Sequence, residues 1–331
     1  MDLEHSTIKT NGIRLHVVQA GPKSGVPVLL LHGFPENWRC WIRQIPALTA
    51  ADCRVIAPDQ RGYNLSEKPK GIKAYCLDTL VEDIAGLIKA LDYEKVNLVG
   101  HDFGALVAWM LAIKYPEKLH RLGIINVPHP VVMWRFLRRD FEQMRRSLYA
   151  LFFQLPWLPE TILKAGNWAV IANGMQRSGR DNAFTNEDIA AYKEAWSQPG
   201  AMTAMLNWYR AAARYQPEIS NDMRVHIRTL ILWGVQDFAL SRRMARPSLD
   251  YCDDGNLVFY PDATHCVQRE EADEGRGQHA GGLRDAALDG IAHRLRGRRG
   301  HHDGDPQPGH GRMMAWRSDS RLRGNDTAAR G

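Results

Sequence analysis

The run Leu98-Val99-Gly100-His101-Asp102-Phe103-Gly104-Ala105 has the spacing most suggestive of chemistry in this chain. Glycines two before and two after a central residue permit a tight strand–turn–helix from whose tip the central side chain projects. Asp102 stands at that centre. A serine there would need a base before it could attack, whereas a carboxylate that ordinarily titrates near ~3.9 is already anionic at neutral pH. It suits displacement at a saturated carbon, leaving an ester that water can cleave in a second step. The plain alternative is a turn residue or a helix N-cap, where Asp is favoured.

Such a turn needs strands and helices to hold it. Residues 13–19 alternate apolar and polar, as a half-exposed strand does, and 27–31 is a short continuous apolar run followed by His32-Gly33. Further strands are expected over 54–57, 96–99, 122–126, 229–233 and 256–260. Leu80, Ile84, Leu87, Ile88 and Leu91 give 79–91 the spacing of an amphipathic helix, and 105–115 is a second helix closed by Pro116. Strands alternating with helices imply an α/β fold with a mostly parallel sheet covered on both faces. Between 131 and 222 no convincing buried strand occurs, and 135–153, 186–196 and 202–215 read as helices. An insertion of that kind is most simply a helical cap over the sheet's carboxyl edge, where ligands bind in such folds. The division expected is 1–132 and 223–274 for the two parts of the α/β core, 133–222 for the cap, and 275–331 for an atypical tail.

Taken together, these motifs resemble the α/β-hydrolase superfamily, and within it the epoxide hydrolases with an Asp nucleophile. His32-Gly33-Phe34-Pro35-Glu36 is similar to the family's H-G-x-P loop, and Asp59-Gln60-Arg61-Gly62-Tyr63 to its D-x-R-G-Y turn. Leu232-Trp233-Gly234-Val235-Gln236-Asp237 resembles the strand and loop bearing the acid, and Asp262-Ala263-Thr264-His265 the loop bearing the base. The order Asp102, Asp237, His265 is that of nucleophile, acid and base in this fold.

The resemblance implies a role for each position. Asp102 would attack an epoxide carbon, and His265, oriented by Asp237, would activate the water that hydrolyses the ester. The N–H groups of Phe34 and Phe103 would form the oxyanion hole. Asn207-Trp208-Tyr209-Arg210 resembles the family's N-x-Y-R segment and nominates Tyr209 as proton donor to the epoxide oxygen; Ser147-Leu148-Tyr149 nominates Tyr149. Trp38, Phe103 and Trp208 are expected to line the substrate site. Standing alone, His265 could be a surface-loop histidine, Asp237 a turn residue, and either tyrosine a packed cap residue.

Two departures stand out. Phe103 occupies a position that is commonly Trp in such relatives, and the likeness stops after Glu274. Relatives continue with an amphipathic helix against the sheet, so weak support for the loop bearing His265 is expected. From 275 to 331 the chain holds 11 Arg, no Lys, 6 Asp and 12 Gly, a composition expected of a disordered extension or of sequence read in a shifted frame. One helix could form there, over 283–295.

That tail also accounts for the net charge. Of the formal +6, the tail carries +5, leaving 32 basic and 31 acidic residues over the rest. No nucleic-acid partner is therefore expected of the body, and the tail, apart from Trp316, lacks the interleaved aromatics that base stacking uses. At 44% hydrophobic and 24% charged residues, the 331-residue chain is ordinary globular material of about two domains. No apolar run approaches the ~18–20 residues of a membrane span, and the first residues are acidic where a signal peptide is basic. Five scattered cysteines suit reduced thiols and a cytoplasmic location. No cofactor is expected: there is no P-loop, no G-x-G-x-x-G and no His/Cys ligand cluster, and His301-His302 and His310 do not look like a metal site.

Rival functions remain at this level. A haloalkane or haloacid dehalogenase uses the same Asp-Asp-His chemistry, but Phe103 supplies no ring N–H for a halide and no Arg occurs between 102 and 110 to bind a carboxylate. A non-catalytic or inactivated protein of the same fold is the other alternative. Oligomeric state is not legible.

Overall fold

The computed structural model describes residues 2–181, 183–218 and 222–272. Eight strands form one sheet: β1 Glu4–Thr10, β2 Ile13–Ala20, β3 Val26–Leu31, β4 Cys53–Pro58, β5 Val96–His101, β6 Leu119–Ile125, β7 Thr229–Gly234 and β8 Gly255–Tyr260. Their order across the sheet is β1-β2-β4-β3-β5-β6-β7-β8, with β1–β2 and β2–β4 antiparallel and the other pairs parallel.

The alternation of side chains explains why this sheet is buried on both faces. Leu29 and Leu31 of β3 point into one apolar cluster with helices Leu77–Ala90 and Phe103–Lys114, while Val28 and Leu30 point into a second with Trp41, Ile45 and Leu48. A strand with two dry faces must be apolar throughout, which is why β3 and β5 read as runs rather than alternations. β1 shows the opposite case. Its sequence EHSTIKT has one well-buried residue, Thr10, so hydrophobic periodicity signals no strand there; pairing with β2 along its whole length holds it.

Between β6 and β7 the chain makes helices Pro130–Arg139, Phe141–Arg146, Leu148–Phe152, Leu158–Ser178, Asn186–Trp196 and Ala201–Arg214. The single helix expected over 135–153 is three, divided at Asp140, whose side chain caps the second, and at Ser147. Asp140 accepts from the Gln143 N–H at 2.9 Å, so its side chain starts a new helix where the old one ends. Leu158–Ser178 has no clear signal in the sequence: Ala165, Gly166, Asn167 and Trp168 leave helical geometry within it and interrupt its apolar period. By contrast, Asn186–Trp196 begins where a Thr185/Asp188 capping box sets it. The tail and the helix expected over 283–295 lie outside the described residues. Among the described residues no helix is long and apolar enough to cross a membrane, and the five cysteines form no disulfide.

Candidate active site

β5 delivers Asp102 to the carboxyl edge of the sheet. The residue takes φ 50° and ψ −126°, a conformation an L-residue avoids at a cost of about 1–3 kcal/mol, and helix Phe103–Lys114 starts at the next position. Ala105 and Leu106 both donate backbone N–H groups to the Asp102 carbonyl, at 2.9 and 3.1 Å, and close the turn. Glycine is required on either side: a Cβ on Gly100 would lie 2.6 Å from Ala105 Cα, and one on Gly104 would lie 2.6 Å from the His32 carbonyl oxygen. Gly33 faces the same carboxylate, and a Cβ there would lie 2.7 Å from Asp102 Oδ1.

The two carboxylate oxygens have separate partners. Phe34 donates its N–H to Oδ1 at 2.8 Å, while His265 Nε2 lies 3.4 Å from Oδ2. Phe103 opens the helix, so its N–H has no carbonyl to meet within the helix ladder. Burial opposes the charge on Asp102, but the His265 ring, His101 and the Phe34 N–H outweigh it and bring the carboxyl down to about 2.

Asp237 and His265 arrive from neighbouring strands. Three residues after β7, Asp237 places Oδ2 2.8 Å from His265 Nδ1, and His265 itself lies five residues after β8. Asp237 is held from all sides: Ala239 and Leu240 donate N–H groups to Oδ1 at 2.8 and 3.0 Å, and Asn126 Nδ2 donates to Oδ2 at 2.7 Å. Burial works against a charged imidazole, yet Asp237 and then Asp102 raise His265 well above the ordinary histidine range. The two carboxyl groups that flank the ring thus favour its charged form. Asn126 is a support that sequence reasoning missed. It follows β6 at φ 55° and also accepts from the Gly234 N–H at 3.0 Å; a strand end reading Asn-Val-Pro is the one local signal of such a post.

Helix Ala201–Arg214 brings Tyr209 over this edge. Its ring meets Phe103 at 4.7 Å, Phe153 at 5.0 Å and Phe34 at 5.2 Å, all inclined or edge-on. Tyr149, from the short helix Leu148–Phe152, stands 5.9 Å from it between ring centres, and the two hydroxyls interact. Burial and the nearby Asp102 charge push both phenols up, which keeps them protonated as donors. Trp208 packs edge-on against Phe103 and Tyr63, at 5.4 Å in each case, and donates its ring N–H to the Arg61 carbonyl at 3.0 Å. Trp38 is a correction. It belongs to the second apolar cluster and meets His5 edge-on at 5.5 Å, because the short helix that carries it packs on the face of the sheet away from these rings. An open cavity of about 330 Å³ lies beside the acid's loop, lined by Arg145, Arg146, Val235, Gln236, Asp237 and Phe238.

The loop bearing His265 is better supported than the broken family likeness suggested. His101 Nε2 donates to the His265 carbonyl at 2.9 Å, and Gln268 Nε2 donates to His101 Nδ1 at 3.0 Å and to Glu36 Oε2 at 3.3 Å. Tyr192 donates to Glu36 Oε1 at 3.2 Å. Arg269, fully buried, donates to the Ala183 carbonyl at 3.0 Å and the Tyr192 oxygen at 3.3 Å and pairs with Asp188. These contacts tie the base's loop to helix Asn186–Trp196. Among the described residues no group of His, Cys, Asp and Glu could hold a metal ion.

Comparison with known proteins places this geometry. The family described as alpha/beta hydrolase fold matches residues 26–272. The chain is 46% identical over 265 residues to the AB hydrolase superfamily protein YfhM of Bacillus subtilis, covering 80% of this chain and 92% of that one. It is 36% identical over 274 residues to Epoxide hydrolase 4 of Homo sapiens, covering 80% and 74%. Among solved structures, an epoxide hydrolase of Bacillus megaterium in complex with an inhibitor superposes with a TM-score of 0.72 at 32% identity, covering 80% of this chain and 94% of that one.

Proposed function

Because this chain belongs to the alpha/beta hydrolase fold family and is a hydrolase, we propose that it opens epoxides to vicinal diols through an ester on Asp102. The observation that carries the reading is an anionic carboxylate under two protonated phenols, 3.4 Å from an imidazole that a second carboxylate holds. The same chemistry without the phenols would serve a dehalogenase; two donors above the nucleophile suit a leaving group that stays attached as an alkoxide and needs a proton. Residues 1–132 and 223–274 form the hydrolase core in this reading, and 133–222 the cap.

Asp102 Oδ2 attacks a ring carbon while Oδ1 stays on the Phe34 N–H. The C–O bond of the epoxide breaks toward its oxygen, which takes a proton from Tyr209 or Tyr149. Esterification removes one of the two anions that keep His265 charged. Its proton affinity falls, the imidazolium returns a proton to the phenolate, and the neutral ring faces the ester. Water then gives a proton to Nε2 and adds to the ester carbonyl; the oxyanion forms on Oδ1, where the Phe34 and Phe103 N–H groups meet it. Collapse expels the diol oxygen, which takes that proton from His265; the Asp102 carboxyl left behind then gives the second water proton to the ring, restoring both carboxylate and imidazolium. Histidine is thus a base only while the ester exists.

A single turnover of styrene oxide in heavy-oxygen water tests the scheme. The first diol should carry no label, since its new oxygen comes from Asp102, and the label should appear in the protein. A labelled first diol would mean direct attack by water. Release of halide from haloalkanes, with no diol from epoxides, would give the site to the dehalogenase reading.

A further inference from the structure

The segment 141–157 is built inside out. Phe141, Met144, Leu148, Leu151 and Leu155 recur at the three-and-four spacing of one helical stripe, the pattern that ordinarily marks a face turned to a core. Here Ser147 divides them between two short helices and the turn that follows, and all five are nevertheless exposed, Phe141 at 79% and Leu151 at 66%. Gln143, a polar residue between them, is instead fully buried, donating to the Ala239 carbonyl and accepting from the Ser241 N–H, each at 2.9 Å. Trp157 ends the stripe on a left-handed backbone at φ 53° and is 70% exposed. Large apolar patches of this kind mark contact surfaces rather than idle surface.

Charge around the stripe narrows what it contacts. Arg135, Arg138, Arg139 and Arg145 are exposed beside it, and residues 130–157 carry five Arg against Asp140 and Glu142. Both acids are further neutralised by Arg243, at 2.9 and 3.5 Å. A symmetric dimer through this face would oppose one set of guanidinium groups to the same set. An anionic bilayer surface matches both features, taking the apolar stripe and Trp157 at the boundary of headgroups and acyl chains and the arginines at the phosphates.

We propose that residues 141–157 dock this protein on an anionic lipid bilayer surface, with the stripe from Phe141 to Leu155 and Trp157 as the inserted face. Tyr149 lies on the same short helix, so the docked face also borders the phenols. If the epoxide reading holds, an apolar substrate dissolved in lipid would reach them without crossing bulk water; the docking itself stands apart from that reading.

Vesicle flotation of the full chain decides it. Phosphatidylcholine vesicles containing one-third phosphatidylglycerol should carry the protein, pure phosphatidylcholine far less, and raised salt should weaken the binding. The triple variant Phe141→Ser, Leu151→Ser and Trp157→Ser should partition at least about tenfold less while keeping its circular dichroism spectrum. Quenching of tryptophan emission by brominated lipid should fall in Trp157→Phe, a readout that stands even if the triple variant misfolds. Failure of the parent chain to float would overturn the proposal. So would unchanged flotation of the triple variant, which would assign binding to the Arg-rich 275–331, or self-association of the parent that the triple variant abolishes.

Discussion

Around Asp102, position is fixed by backbone. Asp102 sits on a constrained turn, Asp237 and His265 arrive just beyond the ends of β7 and β8, and Asp237 is clamped by two N–H groups and Asn126. Around the phenols, position is fixed by ring against ring on helices inserted between β6 and β7. Within that second region the two tyrosines differ again. Tyr209 is wedged among Phe34, Phe103 and Phe153, whereas Tyr149 rides on a five-residue helix and is 37% exposed. The contrast teaches that Asp102 is held by backbone and buried hydrogen bonds, while the phenols are held by side-chain packing and one of them stays partly open to solvent.

The comparison can be broken most severely at its rigid end. Asp102→Ala should lower diol formation by about ten-thousand-fold or more, measured under saturating styrene oxide, since no other group is placed to attack. His265→Gln should complete one turnover and stop, with the ester visible as a mass increase of the intact protein; continued turnover would remove His265 from the second step. Gly33→Ala adds only a methyl, yet it should cost about a hundredfold in kcat/KM by displacing the carboxylate it abuts. At the phenols, Tyr209→Phe should cost about a hundredfold and Tyr149→Phe about tenfold, read as separate alkylation rates. Equal losses would erase the distinction between the tyrosines.

The smallest effect concerns pH. With Asp102 held at about 2, its carboxylate persists as pH falls, so the alkylation rate should vary less than about twofold between about pH 5 and pH 8. Full turnover should nevertheless decline with acid, because His265 must be neutral in the ester. The resting imidazolium also has a stability consequence of opposite sign to the carboxylate's. Its pKa is raised by folding, so that contribution is complete below the unfolded value of about 6.5 and is lost as pH rises through the folded one.

Much of the rigid region is legible in the sequence because few arrangements satisfy it. The glycines around Asp102 fit no ordinary helix start, and β3 and β7 are short, largely apolar runs of the kind a doubly covered sheet needs. Helix Asn186–Trp196 is legible to the residue for a similar reason, its capping box being local. Long-range supports are not. Asn126 and Gln268 look like any polar residue until β7 or His101 is brought beside them. Trp38 misleads because its neighbours in sequence approach the site while its own ring turns to the other face of the sheet. The helices between 130 and 178 are hardest, since Gln143 is buried and Leu151 exposed, the reverse of the rule by which apolar periodicity is read.

Arg269 carries one more implication, for anyone who would shorten or extend this chain. It is a fully buried side chain near the end of the described residues at 272, gripping Asp188 and the Ala183 carbonyl only four positions after His265. A tag or fusion joined beyond it leaves that grip intact. A cut made before it removes the tie between the loop bearing His265 and helix Asn186–Trp196, with Asp102, Asp237 and His265 all still encoded.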